Sequence, residues 1–463
     1  MQAEVRHVLR AVTAAVGLAL ATGCTVGEDF TPPTMELPGA YQFVTGATPQ
    51  VREGYRWWLD YDDPILNEVI ALGFKQNLDI RKALSRIDQA EALGYGLGQP
   101  GSIFGKIEGK REIGGGEASA GSGFARVESL WILDLFGELR REREAAGYRV
   151  DTEYAEADVQ RLYFLSQVAT AYIDMRFYQE LIRTNLKVLK SRERTYQLTQ
   201  ELQARGEVTD LEVAQSRALV AQTKSELPEV EILLVGAIQH IFTLVAEPLQ
   251  DFRSSFDKQA PQPVARADKL RIGIPADLVR NRPDVRKAER RYAEAVALAG
   301  VAEADLYPSL TLTGNINVGY TDSGFDPVGS FFRGAVDIPV FDRGKRRARL
   351  AYQKARAEEL RLEWERVVLL AIEEVERALI GLRKHTEAVA ASEEAVLAAA
   401  DVLSIARKAY AARKINFLQV LDAERGFLSA QNARALDKRN LAVDYVNLNI
   451  ALGGATLRPD EAR

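Results

Sequence analysis

The feature that most restricts this chain is an order of elements that occurs twice. From Tyr307 to Leu452 the order is two short alternating segments, about seventy residues without Pro, a break at Arg413 to Asn416, and a second long helical run. The same order occurs earlier. Asn77-Leu78-Asp79-Ile80-Arg81-Lys82-Ala83 reads against Arg282-Pro283-Asp284-Val285-Arg286-Lys287-Ala288, and DLFG from Asp134 reads against VFDR from Val340. The offset is 205 at both places (284 − 79 and 341 − 136), and 207 at the far turn, where TDLEV from Thr209 matches NFLQV from Asn416 (416 − 209). Two copies of a unit of roughly two hundred residues therefore fill most of the 463-residue chain, as two halves of one architecture.

The alternating segments carry a period of two. Ile103, Gly105 and Ile107 fall on one side and Phe104, Lys106 and Glu108 on the other; Ala125, Val127, Ser129, Trp131 and Leu133 oppose Arg126 and Glu128. In the second pair Leu310, Leu312, Ile316, Val318 and Tyr320 oppose Ser309, Thr311, Thr313, Asn315 and Asn317, and Phe332, Val336, Ile338 and Val340 oppose Arg333 and Asp337. Large apolar groups on one face and charges on the other fit a strand with lipid outside and water inside. The simpler reading is a sheet covered by a soluble core. The flanking helices show no spare apolar face to supply that cover. Four strands cannot close a barrel, and open edges are not tolerated in lipid, so several copies must share one barrel; three give twelve strands.

The long runs read as helices that pack as coiled coils. Leu360, Trp364, Val367, Ala371, Val375, Ala378 and Leu382 are spaced by fours and threes, as are Leu441, Tyr445, Leu448 and Leu452. Leu165, Val168, Tyr172 and Met175, then Ile182, Leu186 and Leu189, do the same in the first half. At 1.5 Å per residue, seventy residues reach roughly 100 Å, far more than the thickness of a membrane. Pro228 interrupts the first return helix and predicts a kink or short break there.

No apolar run of eighteen residues follows the N-terminus, so no transmembrane helix is expected in the mature chain. A net charge of −5 suggests no nucleic-acid footprint. At the N-terminus, Arg6, His7 and Arg10 precede AVTAAVGLALA and then Thr22-Gly23-Cys24, the layout of a cleaved secretory signal over 1–23. Cys24 is the only cysteine, which rules out an internal disulfide and resembles the acylated residue of a bacterial lipobox, although Ala21 stands where such boxes carry Leu. The alternative is an ordinary signal with an incidental Cys. Residues 24–54 read as an extended arm carrying the lipid anchor, 55–249 as the first repeat (β-hairpin about 101–135, helical hairpin about 138–247) and 250–270 as a linker. The second repeat covers 271–454 (β-hairpin about 307–341, helical hairpin about 343–452), followed by a tail at 455–463.

The segment IPADLVRNRPDVRKAE, Ile274 to Glu289, resembles the hallmark of bacterial outer-membrane efflux factors, the TolC-like family, and especially its NodT-type lipoprotein branch. DLYPSLTLTG from Asp305, WILDLFG from Trp131 and FLQVLDAER from Phe417 are similar to other recurrent stretches of that family, and the likeness runs from Trp57 to Gly454. The resemblance implies a mainly α protein with a β-barrel: a homotrimer whose twelve-stranded outer-membrane barrel continues as a periplasmic helical tunnel. It implies a passive, gated exit duct of a tripartite efflux system, with a periplasmic adaptor (membrane fusion protein) and an inner-membrane pump of the resistance-nodulation-division type as partners. It leaves the cargo open among drugs, metal ions and signalling molecules. A pore-less periplasmic coiled-coil lipoprotein, acting as tether or scaffold, is the second reading. An adaptor subunit is a third, but no small barrel or lipoyl-like domain is readable between the helical arms.

A conduit needs no catalytic group, and the three histidines, His7, His240 and His385, are scattered without zinc spacing, phosphate loop or nucleophile elbow. The expected sites are the anchor Cys24, the gate and the docking tips, with no cofactor beyond the lipid. The resemblance places Leu418 and Asp422 at the periplasmic constriction, where three copies would stack an apolar and an anionic ring; the alternative is a packing Leu and a solvated Asp near a helix start. The tips are Arg205 to Thr209 and Arg413 to Asn416, with Gly206, Thr209, Arg413 and Asn416 facing the adaptor, and Thr209 and Asn416 also placed as helix N-caps. Arg413 stands where the family carries Gly. Arg343, Lys345, Arg346, Arg347 and Arg349 read as a solvated basic collar, and Arg280, Arg282, Asp284 and Arg286 as ion pairs and caps between helices.

Overall fold

The computed structural model describes residues 25–42, 56–111, 121–247, 256, 258, 260–264, 275, 281–321, 324–325 and 329–454. The signal 1–23, Cys24, the glycine-rich link at 112–120, Arg280, most of the linker and the tail 455–463 lie outside the described residues. In chain order the elements are a short 3-10 turn (Trp57–Tyr61), α1 (Pro64–Gln76), α2 (Leu78–Gly96), β1 (Gly101–Arg111), β2 (Gly121–Leu133), α3 (Glu138–Ala204) and α4 (Asp210–Val245). Then come α5 (Pro283–Ala304), β3 (Ser309–Thr321), β4 (Gly324–Phe325), β5 (Gly329–Asp337), α6 (Lys345–Ala411) and α7 (Phe417–Ala451).

The long helices α3 and α6 each hold 67 residues, and both their starts and their ends differ by 207 (345 − 138, 411 − 204). Helices α2 and α5 start 205 apart (283 − 78). The two additional residues of the second half therefore lie ahead of the long helices, and the offset of 205 read at DLFG does not carry into α6.

Two compact units divide the chain, one of 1–35, 85–154 and 287–366, the other of 36–84, 155–286 and 367–463. The first holds the sheet, with β1, β2, β3 and β5 side by side and antiparallel throughout. The two-residue β4 pairs with the same side of β3 as β5, with partner numbers summing to 645 (Tyr320 with Phe325) against 646 for β5 (Ser309 with Asp337). The fourth strand thus comes in two pieces with a one-residue slip between them. It ends at Asp337, earlier than the alternation of Ile338 and Val340 suggested, because Pro339 has no N–H for a ladder.

Cross-strand pairing carries the predicted alternation over the whole sheet. Ile107 sits opposite Ala125, which sits opposite Val318; Gly105 pairs with Val127 and Val127 with Ile316; Leu310 pairs with Val336. On the other face Arg126 Nε donates to Asn317 Oδ1 at 2.8 Å, Asn315 Nδ2 donates to Glu128 Oε1 at 3.2 Å, and Lys106 pairs with Glu108. No core covers the apolar face: Ile103, Ile107 and Phe332 are 78%, 86% and 76% exposed. Among the described residues, the outer edges of β1 and of β4 and β5 have no strand partner.

The arm after Cys24 is fastened to this unit. Val26 N–H donates to Phe136 O at 3.0 Å, and the buried Arg141 reaches Gly27 O at 2.9 Å and Asp29 Oδ1 at 2.7 Å. Phe30 lies edge-on to Tyr148 and Tyr292 at 5.6 Å from each. Gly27, at φ +85, approaches Gly300 so closely that a Cβ would stand 2.7 Å from Gly300 Cα, so Gly27 has no room for a side chain.

The second unit is a helical core. Asp63 caps α1 by accepting from Ile65 and Leu66 N–H, ahead of Pro64 at the first helical position. Its other oxygen accepts from Tyr172 OH at 2.6 Å, and the fully buried Arg176 donates to that hydroxyl through Nε at 3.0 Å and Nη2 at 2.7 Å. The two halves close alike: Asn77 Nδ2 donates to Leu244 O at 2.7 Å, and Arg282 Nη1 donates to Ala451 O at 2.9 Å, with acceptors 207 apart (451 − 244). Arg282 also pairs with Asp284 and Glu374, and Arg286 with Asp158, so this motif serves as ion pairs and caps.

Not every apolar spacing is buried. Leu165, Val168, Tyr172 and Met175 are inside, but Leu186 is half exposed, and Val368 rather than Val367 is the buried neighbour of Ala371. Helix α4 passes through Pro228 without a break; the loss of one backbone bond is absorbed within 36 residues of helix. By length and composition α4 also has one eighteen-residue window apolar enough to cross a membrane, at mean hydropathy 1.4, which scattered acidic residues hid in the sequence as a broken run.

Candidate gate and docking turns

The far ends of both helical hairpins lie in the second unit and share one backbone design. In the first turn Glu207 N–H donates to Leu202 O at 2.9 Å and Gly206 N–H to Gln203 O at 2.8 Å. In the second, Lys414 N–H donates to Ala409 O and Arg413 N–H to Tyr410 O, both at 2.8 Å. Each is the paired closure that ends a helix on a left-handed residue. Gly206 takes that position at φ 71 and Arg413 at φ 57. A side chain in this region costs roughly 1–2 kcal/mol relative to Gly. Arg413 uses its side chain in return: Nη2 donates to Glu207 Oε2 at 2.5 Å, joining the two turns.

Both returning helices start on a capping residue. Thr209 Oγ1 accepts from Glu212 N–H at 3.4 Å while Thr209 N–H donates to Glu212 Oε2 at 3.0 Å, a reciprocal box. Asn416 Oδ1 accepts from Gln419 N–H at 3.2 Å. Replacing Thr209 with Ala is expected to destabilise the start of α4 by about 1 kcal/mol. Faster amide hydrogen exchange over 210–213 checks this; unchanged exchange there would show the cap to be dispensable.

Behind the second turn sits an apolar cluster of Leu219, Leu403, Ala406, Phe417, Val420, Leu421 and Ala423. The spacing that buries Phe417, Val420 and Leu421 turns Leu418 and Asp422 outward, one helical turn apart on the opposite face. Leu418 is half exposed, and the exposed Asp422 carboxylate has Arg425 Nη1 at 3.9 Å. Leu418 is therefore not a packing residue within the chain.

Sequence reading missed the polar contacts that hold this face. Glu424, buried next to Asp422, accepts from Arg407 Nη2 at 2.8 Å, and Arg407 Nη2 also lies 2.8 Å from Ser191 Oγ. Burial lowers the pKa of the neighbouring Arg192, opposed by the Glu424 and Glu226 carboxylates. A usable signal existed, because residues equidistant from a hairpin turn face each other. Arg407 and Glu424 are centred on 415.5, and Thr199 and Ser216, whose hydroxyls lie 2.9 Å apart, are centred on 207.5. The equivalents of that hydroxyl pair in the second hairpin are Ala406 and Ala423 (199 + 207, 216 + 207), so a polar pair in one hairpin is apolar in the other.

In the first unit, Arg343 takes a left-handed φ of 56 before α6. Arg346 Nη1 donates to Asp305 O at 2.5 Å and Oδ1 at 2.9 Å, and Arg349 lies 3.8 Å from the same carboxylate. Part of the basic collar is thus a tie to the end of α5. Among the described residues no group of three or more His, Cys, Asp or Glu side chains is placed to hold a metal ion.

A family model described as outer membrane efflux protein matches residues 108–246 and 274–454. The chain is 34% identical to nodulation protein T of Rhizobium leguminosarum bv. viciae, over 98% of this chain and 95% of that protein. It is 27% identical to the pyoverdine export outer membrane protein OpmQ of Pseudomonas putida, over 92% and 93% of the two chains. The solved structure of the outer-membrane channel OprN superposes with a TM-score of 0.83 at 28% identity, covering 93% of this chain and 99% of that one.

Proposed function

Because the chain belongs to the outer membrane efflux protein family, we propose that three copies of it assemble into the exit duct of a tripartite efflux system. The outer-membrane channel is the part this chain supplies. An inner-membrane pump of the resistance-nodulation-division type and a periplasmic adaptor would deliver the cargo. The observation that carries the reading is the sheet, which has one uncovered apolar face, one hydrogen-bonded polar face and, among the described residues, two edges without a strand partner. Such a sheet is stable in lipid only when neighbouring copies supply the missing strand partners, and three sets of four lanes give a twelve-stranded wall. A pore-less tether would not need a sheet of this kind, and a conduit needs no chemistry of its own.

Within that assembly Leu418 and Asp422 form the periplasmic constriction, an apolar ring one turn from an anionic one, because both point away from the packed cluster of their own chain. The turns carrying Gly206, Thr209, Arg413 and Asn416 dock the adaptor; their support is their shared geometry and the Arg413–Glu207 link, which presents both turns together. Cys24 carries the lipid. Thr25 lies against Gly137, where a Cβ would meet Thr25 Cγ2 at 2.6 Å, so the arm holds Thr25 at the junction between β2 and α3, next to the sheet that lipid would surround.

Placing a charge on the apolar face tests the sheet reading. Val127, half exposed near the middle of β2, is replaced by Arg. The expected cost is about 2 kcal/mol, read as loss of the heat-modifiable, membrane-integrated form. Full insertion of V127R beside an equally soluble native protein would mean that this face meets water.

A further inference from the structure

The gate face adjoins a groove to which no role has been given. It lies between α3, α4 and α7, has a volume of about 580 Å³, within the range of small-molecule sites, and changes character along its length. Phe177, Leu181 and Leu436 make one part apolar, while Arg192 and Arg425 line another. Arg192 is 4% exposed; its Nη1 donates to Thr223 Oγ1 at 2.5 Å, and its Nε is shielded from solvent with no partner. Asn432, also in the lining, keeps a buried Oδ1 without a donor. The lining holds one carboxylate, Glu226, which accepts from Gln222 Nε2 at 3.0 Å, while Glu424 and Asp422 stand near Arg192 and Arg425 outside the lining.

Buried donors and acceptors are almost always paired, and a guanidinium N–H makes its strongest hydrogen bonds to oxyanions. We propose that this groove binds a small amphiphilic organic anion, its sulfonate or carboxylate held by Arg192 and Arg425, its apolar body on Phe177 and Leu181, and a donor on it turned to Asn432. Arg425 also faces Asp422 at 3.9 Å, so a bound anion competes with the gate carboxylate for one guanidinium. That coupling rests on the duct reading; the binding itself does not.

The test is calorimetric titration of the full-length protein in nanodiscs with anilinonaphthalene sulfonate, against protein-free nanodiscs. The expected result is one saturable site per chain. Arg192→Gln and Arg425→Gln each weaken it by about tenfold or more, as does removal of the sulfonate from the probe. Arg425 is exposed and its replacement leaves the fold intact, so loss of binding in R425Q reads on the site itself. Absence of a saturable site overturns the proposal. So does binding that R425Q and the sulfonate-free probe leave unchanged, even where R192Q abolishes it. Conductance is recorded on the same preparations, so failure of the duct reading is seen separately.

Discussion

Replacing Asp422 with Ala, or Leu418 with Ser, raises the ion conductance of the protein in planar bilayers by about tenfold, the factor that about 1.4 kcal/mol of barrier corresponds to. The expectation follows from where α7 puts these side chains. Phe417, Val420, Leu421 and the buried Glu424 fasten one face of the helix to its own chain, so neither Leu418 nor Asp422 is needed there. In the proposed trimer, three copies around an axis would turn those idle positions into a narrow apolar ring and a ring of like charges. Removing the carboxylates lifts the electrostatic selection, and removing the leucines lifts the dewetting barrier. The two variants should also differ in kind: D422A loses preference for cations, whereas L418S keeps it. Currents equal to those of the native protein in both variants would place the constriction elsewhere.

The largest loss of stability is expected from Asp63→Ala, about 3–5 kcal/mol. Asp63 does two things at once. One oxygen caps α1, and the other closes the line from Tyr172 OH to the fully buried Arg176. Burial, followed by the hydrogen bond to Asp63, pushes the Tyr172 phenol far above its ordinary range, so at any working pH it stays a neutral relay between cation and carboxylate. Without Asp63 the guanidinium keeps Gln179 Oε1 and Lys258 O as acceptors but loses its negative partner in the interior. Asp63→Asn restores the cap and not the charge, so it should fall between native and D63A in thermal unfolding. A D63A protein that melts with the native one would show that Arg176 is neutralised by another group.

Much of this architecture was legible because it depends on period. Two-residue alternation marked the strands from Ile103 to Val336, four-three spacing marked Trp364 to Leu382, and a doubled order of elements gave the halves. The errors share a physical origin. Ile338 and Val340 continued the alternation but had Pro339 between them, and a ladder ends where a donor is missing. Leu186 continued the helical spacing but has no neighbour to bury it within its own chain. Pro228 suggested a kink or a short break, and of these the break does not occur, since α4 runs on through it. At the candidate gate, FLQVLDAER suggested Leu418 and Asp422 through resemblance, and the outward direction of both follows from three buried neighbours at helical spacing. The link from Arg407 to Glu424 was overlooked although the two residues stand symmetrically about the second turn, whereas the pairing of Arg413 with Glu207 was not legible, because it needs the fold to bring together residues 206 positions apart.

In the proposed duct the sheet of one chain is one third of a wall. The most direct measurement is the mass of the unheated protein extracted from membranes, by native mass spectrometry in detergent. The expected species holds three chains and resists dodecyl sulfate until heated, because in the proposed trimer each open edge of β1 would be closed by the β5 edge of a neighbour. A folded single chain that carries the same strand content would contradict it.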